Sequence, residues 1–225
     1  MRRMASIVAC ASVVLATVVT DVPVATVALD AQGQRPRPRP AVQKPATPAP
    51  ATIEPAKVQC REPLGTGVRT AASYCFVLAG RDPLQGVLVA IPPHAGPATL
   101  VFNLHNRHTF SQEDIKVGRA FSRYTAGIGV LTMTGGLLGR GAVQSEFRNA
   151  RDLFERIGGG AGPGGVKAVA PLGNEEVMVA IPAAVTQVSL LGEVLEAFTS
   201  IGRETATPGR PVAIVSNVRV EYRPK

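Results

Sequence analysis

From residue 58 onward the chain is a series of short runs in which apolar and polar residues alternate with a period of two, each run closed by Gly or Pro. That period puts alternate side chains on opposite faces of an extended strand; a helix would need a period near 3.6. Residues 99–105 show it plainly, with Leu100, Phe102 and Leu104 on one face and Val101, Asn103 and His105 on the other. Tyr124, Ala126, Ile128 and Val130 mark one face of a second run, and further strands are expected at 73–78, 86–91, 142–147, 166–170, 176–181 and 188–195. Pro92-Pro93 stops one of these and Pro171 another. In the closing run Val212, Ile214, Val218, Val220 and Tyr222 are expected to face inward, with Ser216 as the one polar interruption, and Asn217, Arg219 and Glu221 outward. Strands this short, spaced about ten residues apart with Gly/Pro-rich turns, predict an all-β antiparallel sandwich, jelly-roll-like or immunoglobulin-like.

The run Ile214-Val215-Ser216-Asn217-Val218-Arg219-Val220 resembles the closing strand of jelly-roll carbohydrate-binding domains. The resemblance covers one strand and carries no site residues over. At most one short helix is expected. Asn149 would cap it over 150–157, with Asp152 in its first turn and Gly158 as its stop. Ser111 with Asp114 mimics a capping box, but Gly118 limits any helix there. The phrase Val-Ala-Ile-Pro occurs at 89–92 and again at 179–182, ending a strand each time.

The region before the strands differs in kind. Arg2 and Arg3 precede an uncharged apolar run from Met4 to Thr20 that Asp21 closes, and small residues follow at 26–31. This is the anatomy of a secretory signal over 1–31, with an uncleaved outward-facing membrane anchor as the alternative. Ile7-Val8-Ala9-Cys10 formally fits a lipoprotein box, but the apolar stretch before Cys10 is short and the sequence after it stays apolar, so Cys10 reads as an ordinary signal residue. Residues 32–57 carry seven prolines and alternate Arg35, Arg37 and Arg39 with Pro36, Pro38 and Pro40. They are expected to form a disordered, polyproline II-like spacer. Of the formal charge of +8, half lies on that arm. Arg35, Arg37 and Arg39 read first as charges that keep a soluble spacer extended and, as the functional alternative, as a contact to an anionic envelope polymer or lipid surface. The domain proper is expected over 58–225, long enough for one real core.

An exported chain places its cysteines in an oxidising compartment, and without the signal two remain, Cys60 and Cys75. They are expected to form a disulfide closing a loop of about 15 residues, for which chain entropy gives about 3 kcal/mol.

Candidate chemistry is sparse. His105 and His108, followed by Glu113 and Asp114, make the densest polar cluster and the candidate divalent-metal set. On an unbroken strand positions 105 and 108 point to opposite faces, so sharing an ion requires the strand to end near Asn106. Gly160, Gly162 and Gly165 satisfy GxGxxG, but Pro163 interrupts the loop and a strand, rather than a helix, is expected after it, so no nucleotide cofactor is implied. No GxSxG elbow is present, and nothing in the spacing selects a catalytic pair from Glu146, Asp152, Glu155, Glu175 and Glu176. Glu175-Glu176 is expected at a turn before an edge strand. With no Trp and 4% aromatic residues, the chain lacks platforms for stacking on sugars or bases, so no nucleic-acid partner is expected. Arg107, Arg119, Arg123, Arg140, Arg148, Arg151 and Arg156, in the middle of the chain, read either as a face for acidic polymers or as ordinary surface solubility.

These features predict an exported, non-catalytic β-sandwich module of a bacterial cell envelope, secreted, periplasmic or at the cell surface, with a binding or structural role, partnering an anionic polymer, a lipid surface or another envelope protein, and needing no cofactor. The alternative is an envelope hydrolase or glycan-binding accessory protein using the His105/His108 region.

Overall fold

A computed structural model describes residues 50–158 and 167–225. The segment read as a signal, the spacer up to residue 49 and most of the Gly-rich run lie outside the described residues. In chain order the strands are β1 (Thr52–Pro55), β2 (Lys57–Gln59), β3 (Pro63–Thr66), β4 (Ser73–Leu78), β5 (Val87–Ala90), β6 (Ala98–Ser111), β7 (Ser122–Thr132), β8 (Leu137–Phe147), β9 (Lys167–Ile181), β10 (Gln187–Thr199), β11 (Gly202–Thr205) and β12 (Pro211–Tyr222). One short helix, α1 (Gln112–Lys116), follows β6.

All strand pairs are antiparallel, and they form two sheets. The first runs β3-β4-β12-β6-β9, with β1 on the second half of β12; the second runs β2-β5-β10-β7-β8, with β11 on β10. Leaving aside the short β1, β2, β3 and β11, the eight principal strands lie in the orders first-eighth-third-sixth and second-seventh-fourth-fifth. Successive strands switch sheets at every step except β7 to β8. That is the jelly-roll order, and of the two sandwiches expected it is the one realised.

Alternation places the core. Leu100, Phe102 and Leu104 of β6 meet Ala126, Ile128 and Val130 of β7 and Val188 and Leu190 of β10, all fully buried. Cys75, on the inner face of β4, bonds Cys60 just after β2, with Cα atoms 5.7 Å apart. Because β4 belongs to one sheet and β2 to the other, the disulfide ties the two layers together at the start of the domain. Along the opposite edge β8 packs on β9, and a Cβ at Gly139 or Gly141 would lie 2.7–3.0 Å from the side chains of Val179 and Val177. Glycine there lets the two layers close.

Several boundaries differ from the sequence reading, for physical reasons. The folded domain starts at β1, so residues 52–57 are strands rather than spacer. Pro55 is accommodated because β1 pairs only with β12 and its other edge is free. The runs at 166–170 and 176–181 are parts of one strand, β9, which outruns Pro171 because that edge of the sheet needs no ladder donor there. Glu175 and Glu176 are therefore inside a strand, not at a turn. The helix expected at 150–157 shrinks to a 3-10 turn over Ala150–Asp152, with the expected Asn149 cap. Ser111 does cap α1, through Asp114 N–H, and Gly118 follows with φ of 69°. Among the described residues no helix is long and apolar enough to cross a membrane.

Candidate functional site

Two bulges decide where β6 points its polar residues. Opposite His105, β9 inserts two residues, Gly173 and Asn174, between the partners of Leu104 and Asn106, with Gly173 at φ 67°. Opposite Phe102, β12 inserts Asn217 and Val218, with Asn217 at φ 51°. A bulge bends the strand and re-aims its neighbours. Val212, Val218, Val220 and Tyr222 face the core as expected, but the second bulge reverses the facing of the middle of β12: Ala213 and Val215 join the core, whereas Ile214 and Ser216 sit on the outer face beside His105.

That outer face is not open. The segment 148–158 crosses it as a strap, bonded at one end to β9 (Phe154 N–H to Pro171 O) and at the other to β3 (Gly158 N–H to Thr66 O). Beneath it His105 is fully buried. Its Nδ1 lies 2.7 Å from Gly173 O and its Nε2 2.9 Å from Ser216 Oγ, and Phe154 stacks on the ring at 4.6 Å. Since the carbonyl only accepts, Nδ1 carries the proton and Nε2 accepts from Ser216. Burial brings the imidazole pKa down from 6.5 to about 4, with the Gly173 bond opposing that shift. The strap is latched by Glu155, itself buried, whose carboxylate accepts from the backbone N–H groups of Arg69, Thr70 and Arg156. Burial pushes this carboxyl up, but the bonds from Thr70, Arg69 and Arg156 outweigh it and hold it below its usual value.

β6 does not end near Asn106; it runs on to Ser111 and beyond the reach of β12, whose pairing with it stops at Asn106. Asn106 points inward and donates to Val143 O and Ser145 Oγ. Past it, Arg107–Ser111 keep only β9 as a strand neighbour, and the two layers gape. The gap is a cavity of about 560 Å3. The end of β6, with Asp114 of α1 and Arg119 and Ala120 after it, lines it together with Ser122 and Tyr124 of β7, Phe147 of β8, Ala197 and Thr199 of β10 and Glu204 of β11, these four strands all belonging to the second sheet.

At its floor His108 Nδ1 lies 2.8 Å from the Tyr124 hydroxyl, and its ring stacks on Phe147 with centroids 3.9 Å apart. Burial, then the neighbouring Arg107 charge, lowers its pKa to about 4. Burial raises that of Tyr124. Arg107 is half-buried, its guanidinium weakened by desolvation first, and its Nε is buried without an acceptor.

The four candidate metal ligands are thus used separately. Both nitrogens of His105 are occupied under the strap, His108 lies on the other face against Tyr124, and Glu113 accepts from Ser111 Oγ. Asp114 lines the cavity, and among the described residues no three His, Cys, Asp or Glu side chains are placed to hold a metal ion. The metal reading therefore has no geometric support. The carboxylates are likewise dispersed: Glu155 latches the strap, Asp152 caps the turn at Asn149, Glu146 pairs with Arg148, and Glu176 with Arg219 at 2.5 Å. Of the central arginines, Arg107 and Arg119 reach the cavity, Arg123 lies over the Phe198 ring at 5.0 Å, and Arg140 pairs with Glu193. Arg35, Arg37 and Arg39 lie outside the described residues. A second hollow, of about 530 Å3, sits on the outer face of the second sheet, where Arg140 is paired with Glu193 and Arg81 is the further charge of the lining.

The sequence reading named Arg107 only among seven arginines of a general basic face, and it missed Ser216 as the partner of His105. The only signals were the polar run Asn106-Arg107-His108-Thr109 after an apolar strand and a Ser within an apolar one. The chain matches no protein-family model, no curated protein and no solved structure.

Proposed function

We propose that the domain is an exported, non-catalytic binding module of a bacterial cell envelope, and that its ligand site is the open mouth of the jelly roll between β6, β7 and β10. The observation that carries this reading is the cavity of about 560 Å3, lined by polar side chains over an apolar floor, in the size range of small-ligand sites. Export rests on the Arg2-Arg3 and apolar leader together with the Cys60–Cys75 pairing. The test is capture of envelope components by the full chain and by Ala120→Trp, which puts an indole in the mouth without entering the main core. Retention by the wild type that Ala120→Trp abolishes supports the assignment; equal retention by both refutes it.

One contact favours the second reading, an envelope hydrolase. His105 Nε2 accepts from Ser216 Oγ at 2.9 Å, with Nδ1 oriented by Gly173 O, which is the relation between a general base and a nucleophile. Against it stand the burial of both groups under Phe154 and the absence of a carboxylate behind the imidazole. A fluorophosphonate that labels the wild type but not Ser216→Ala would establish the hydrolase; no labelling leaves the pair as a structural hydrogen bond.

A further inference from the structure

A cation taken partly out of water needs a counter-charge or a full set of acceptors. Arg107 has neither in full: its Nε is buried without an acceptor, among the described residues no carboxylate lies within ion-pair distance of its guanidinium, and the attraction of Glu204 is offset by the repulsion of Arg210. Yet two carboxylates, Asp114 and Glu204, line the same cavity. The two carboxylates suit a ligand that donates from several hydroxyls, while the Arg107 guanidinium, which forms no ion pair, suits a ligand that also carries an oxyanion. A bare anion would leave the carboxylates facing it, and a neutral sugar would leave the guanidinium unmatched.

We propose that the mouth cavity binds a hydroxylated ligand of monosaccharide size through a carboxylate or phosphate seated on Arg107, with Asp114 and Glu204 accepting from its hydroxyls. This rests on the mouth being the binding site, and it adds the ligand class. Hydroxyls of the lining are already engaged: Tyr124 with His108, Ser122 with Ala120 O, Thr199 with Gly202 O, and Ser111 with Glu113 and the Asp114 amide, which leaves the two carboxylates as the acceptors.

The experiment is calorimetric titration of the full chain with four probes, glucuronate, glucose 6-phosphate, glucose and inorganic phosphate, on the wild type, Arg107→Gln and Ala120→Trp. Either anionic sugar is expected to bind more tightly than both glucose and phosphate, and which one does so distinguishes a carboxylate from a phosphate source. Arg107→Gln should weaken that binding by about tenfold or more, the scale of one charge-assisted hydrogen bond, and Ala120→Trp should abolish it. Should Arg107→Gln fail to fold, weakening of the wild-type interaction with added NaCl is the second measure, and salt-independence overturns the proposal. Glucose binding as tightly as its anionic relatives, blocked by Ala120→Trp but indifferent to Arg107→Gln, overturns the oxyanion assignment and leaves the cavity as a site. No binding of any probe, with envelope capture still blocked by Ala120→Trp, likewise overturns only the ligand class. No binding together with capture indifferent to Ala120→Trp overturns both.

Discussion

Acidification should destabilise this domain well above the range where carboxylates titrate, because two imidazoles are held neutral in its interior. An unfolded chain binds a proton on each near pH 6.5, whereas His105 and His108 in the fold resist protonation until about pH 4. Between those values unfolding takes up protons, so stability is full above about pH 6.5 and falls as the pH drops toward 4. Each imidazole contributes a slope of about 1.4 kcal/mol per pH unit, and about 3 kcal/mol over the whole window. For a domain of this size that corresponds to a fall in Tm of about 6–12 °C per histidine. Both side chains are buried, which leaves a new charge poorly compensated: His105 lies between Gly173 O and Ser216 Oγ under Phe154, and His108 faces Phe147 beside the Arg107 cation. The assay is urea unfolding of the full chain from pH 8 to 4.5, alongside His105→Gln and His108→Gln. The readout is the slope against pH, so a uniform loss of stability in a variant does not confuse it. Each substitution should remove about half the slope. A wild type whose midpoint is flat from pH 7 to 4.5, or variants that keep the full slope, would refute the account of these two sites.

Other perturbations separate the parts of the structure. Replacing Glu155 by Ala removes the acceptor of the Arg69, Thr70 and Arg156 amides and should cost about 1–3 kcal/mol, seen as faster hydrogen exchange at those three amides and in the strap rather than in β6 or β7. Cys60→Ser with Cys75→Ser should cost about 3 kcal/mol by chemical denaturation, since the loop spans 15 residues. Gly141→Ala places a methyl 2.7 and 2.9 Å from the Val177 side chain and should lower stability by about 1–3 kcal/mol, whereas Gly96→Ala, whose Cβ meets nothing within 4 Å, should cost only its backbone strain; comparable melting losses would mean that β8 and β9 are not tightly apposed.

How much of this was readable from the chain follows from what alternation can and cannot carry. It carried the all-β class, the inward face of β7, the bounds of β4 and the disulfide that ties the layers, because each is a consequence of period-two burial or of cysteine count. It failed at positions where the period itself breaks. The expected facing of Ile214 and Ser216 was wrong because Asn217 adopts φ 51° and adds a residue to β12, and nothing about an Asn in a strand announces that. Pro171 was read as a stop because the edge position of β9, which makes it tolerable, is a fact of topology. The strap was unreadable for the same kind of reason: Phe154 and Glu155 have a purpose only once Tyr74, His105 and Ser216 lie side by side beneath them, and those come from three strands distant in sequence.

The candidate site is the product of unequal strand lengths more than of a motif. β6 has fourteen residues and β12 twelve, and the bulge at Asn217 consumes part of β12, so its pairing with β6 runs out at Asn106. Beyond that point the residues of β6 lose their partner on one side: His108 turns inward against Tyr124 and Phe147, and Arg107 lines the same mouth. Burying an arginine in a closed sandwich would be prohibitive; at a frayed end it is half-buried, and a second chain or a ligand can complete it. The positions that defied the sequence reading and the position that lacks a partner are therefore connected: the added residue at 217 that turns Ser216 outward to His105 also shortens the strand that would otherwise have covered Arg107.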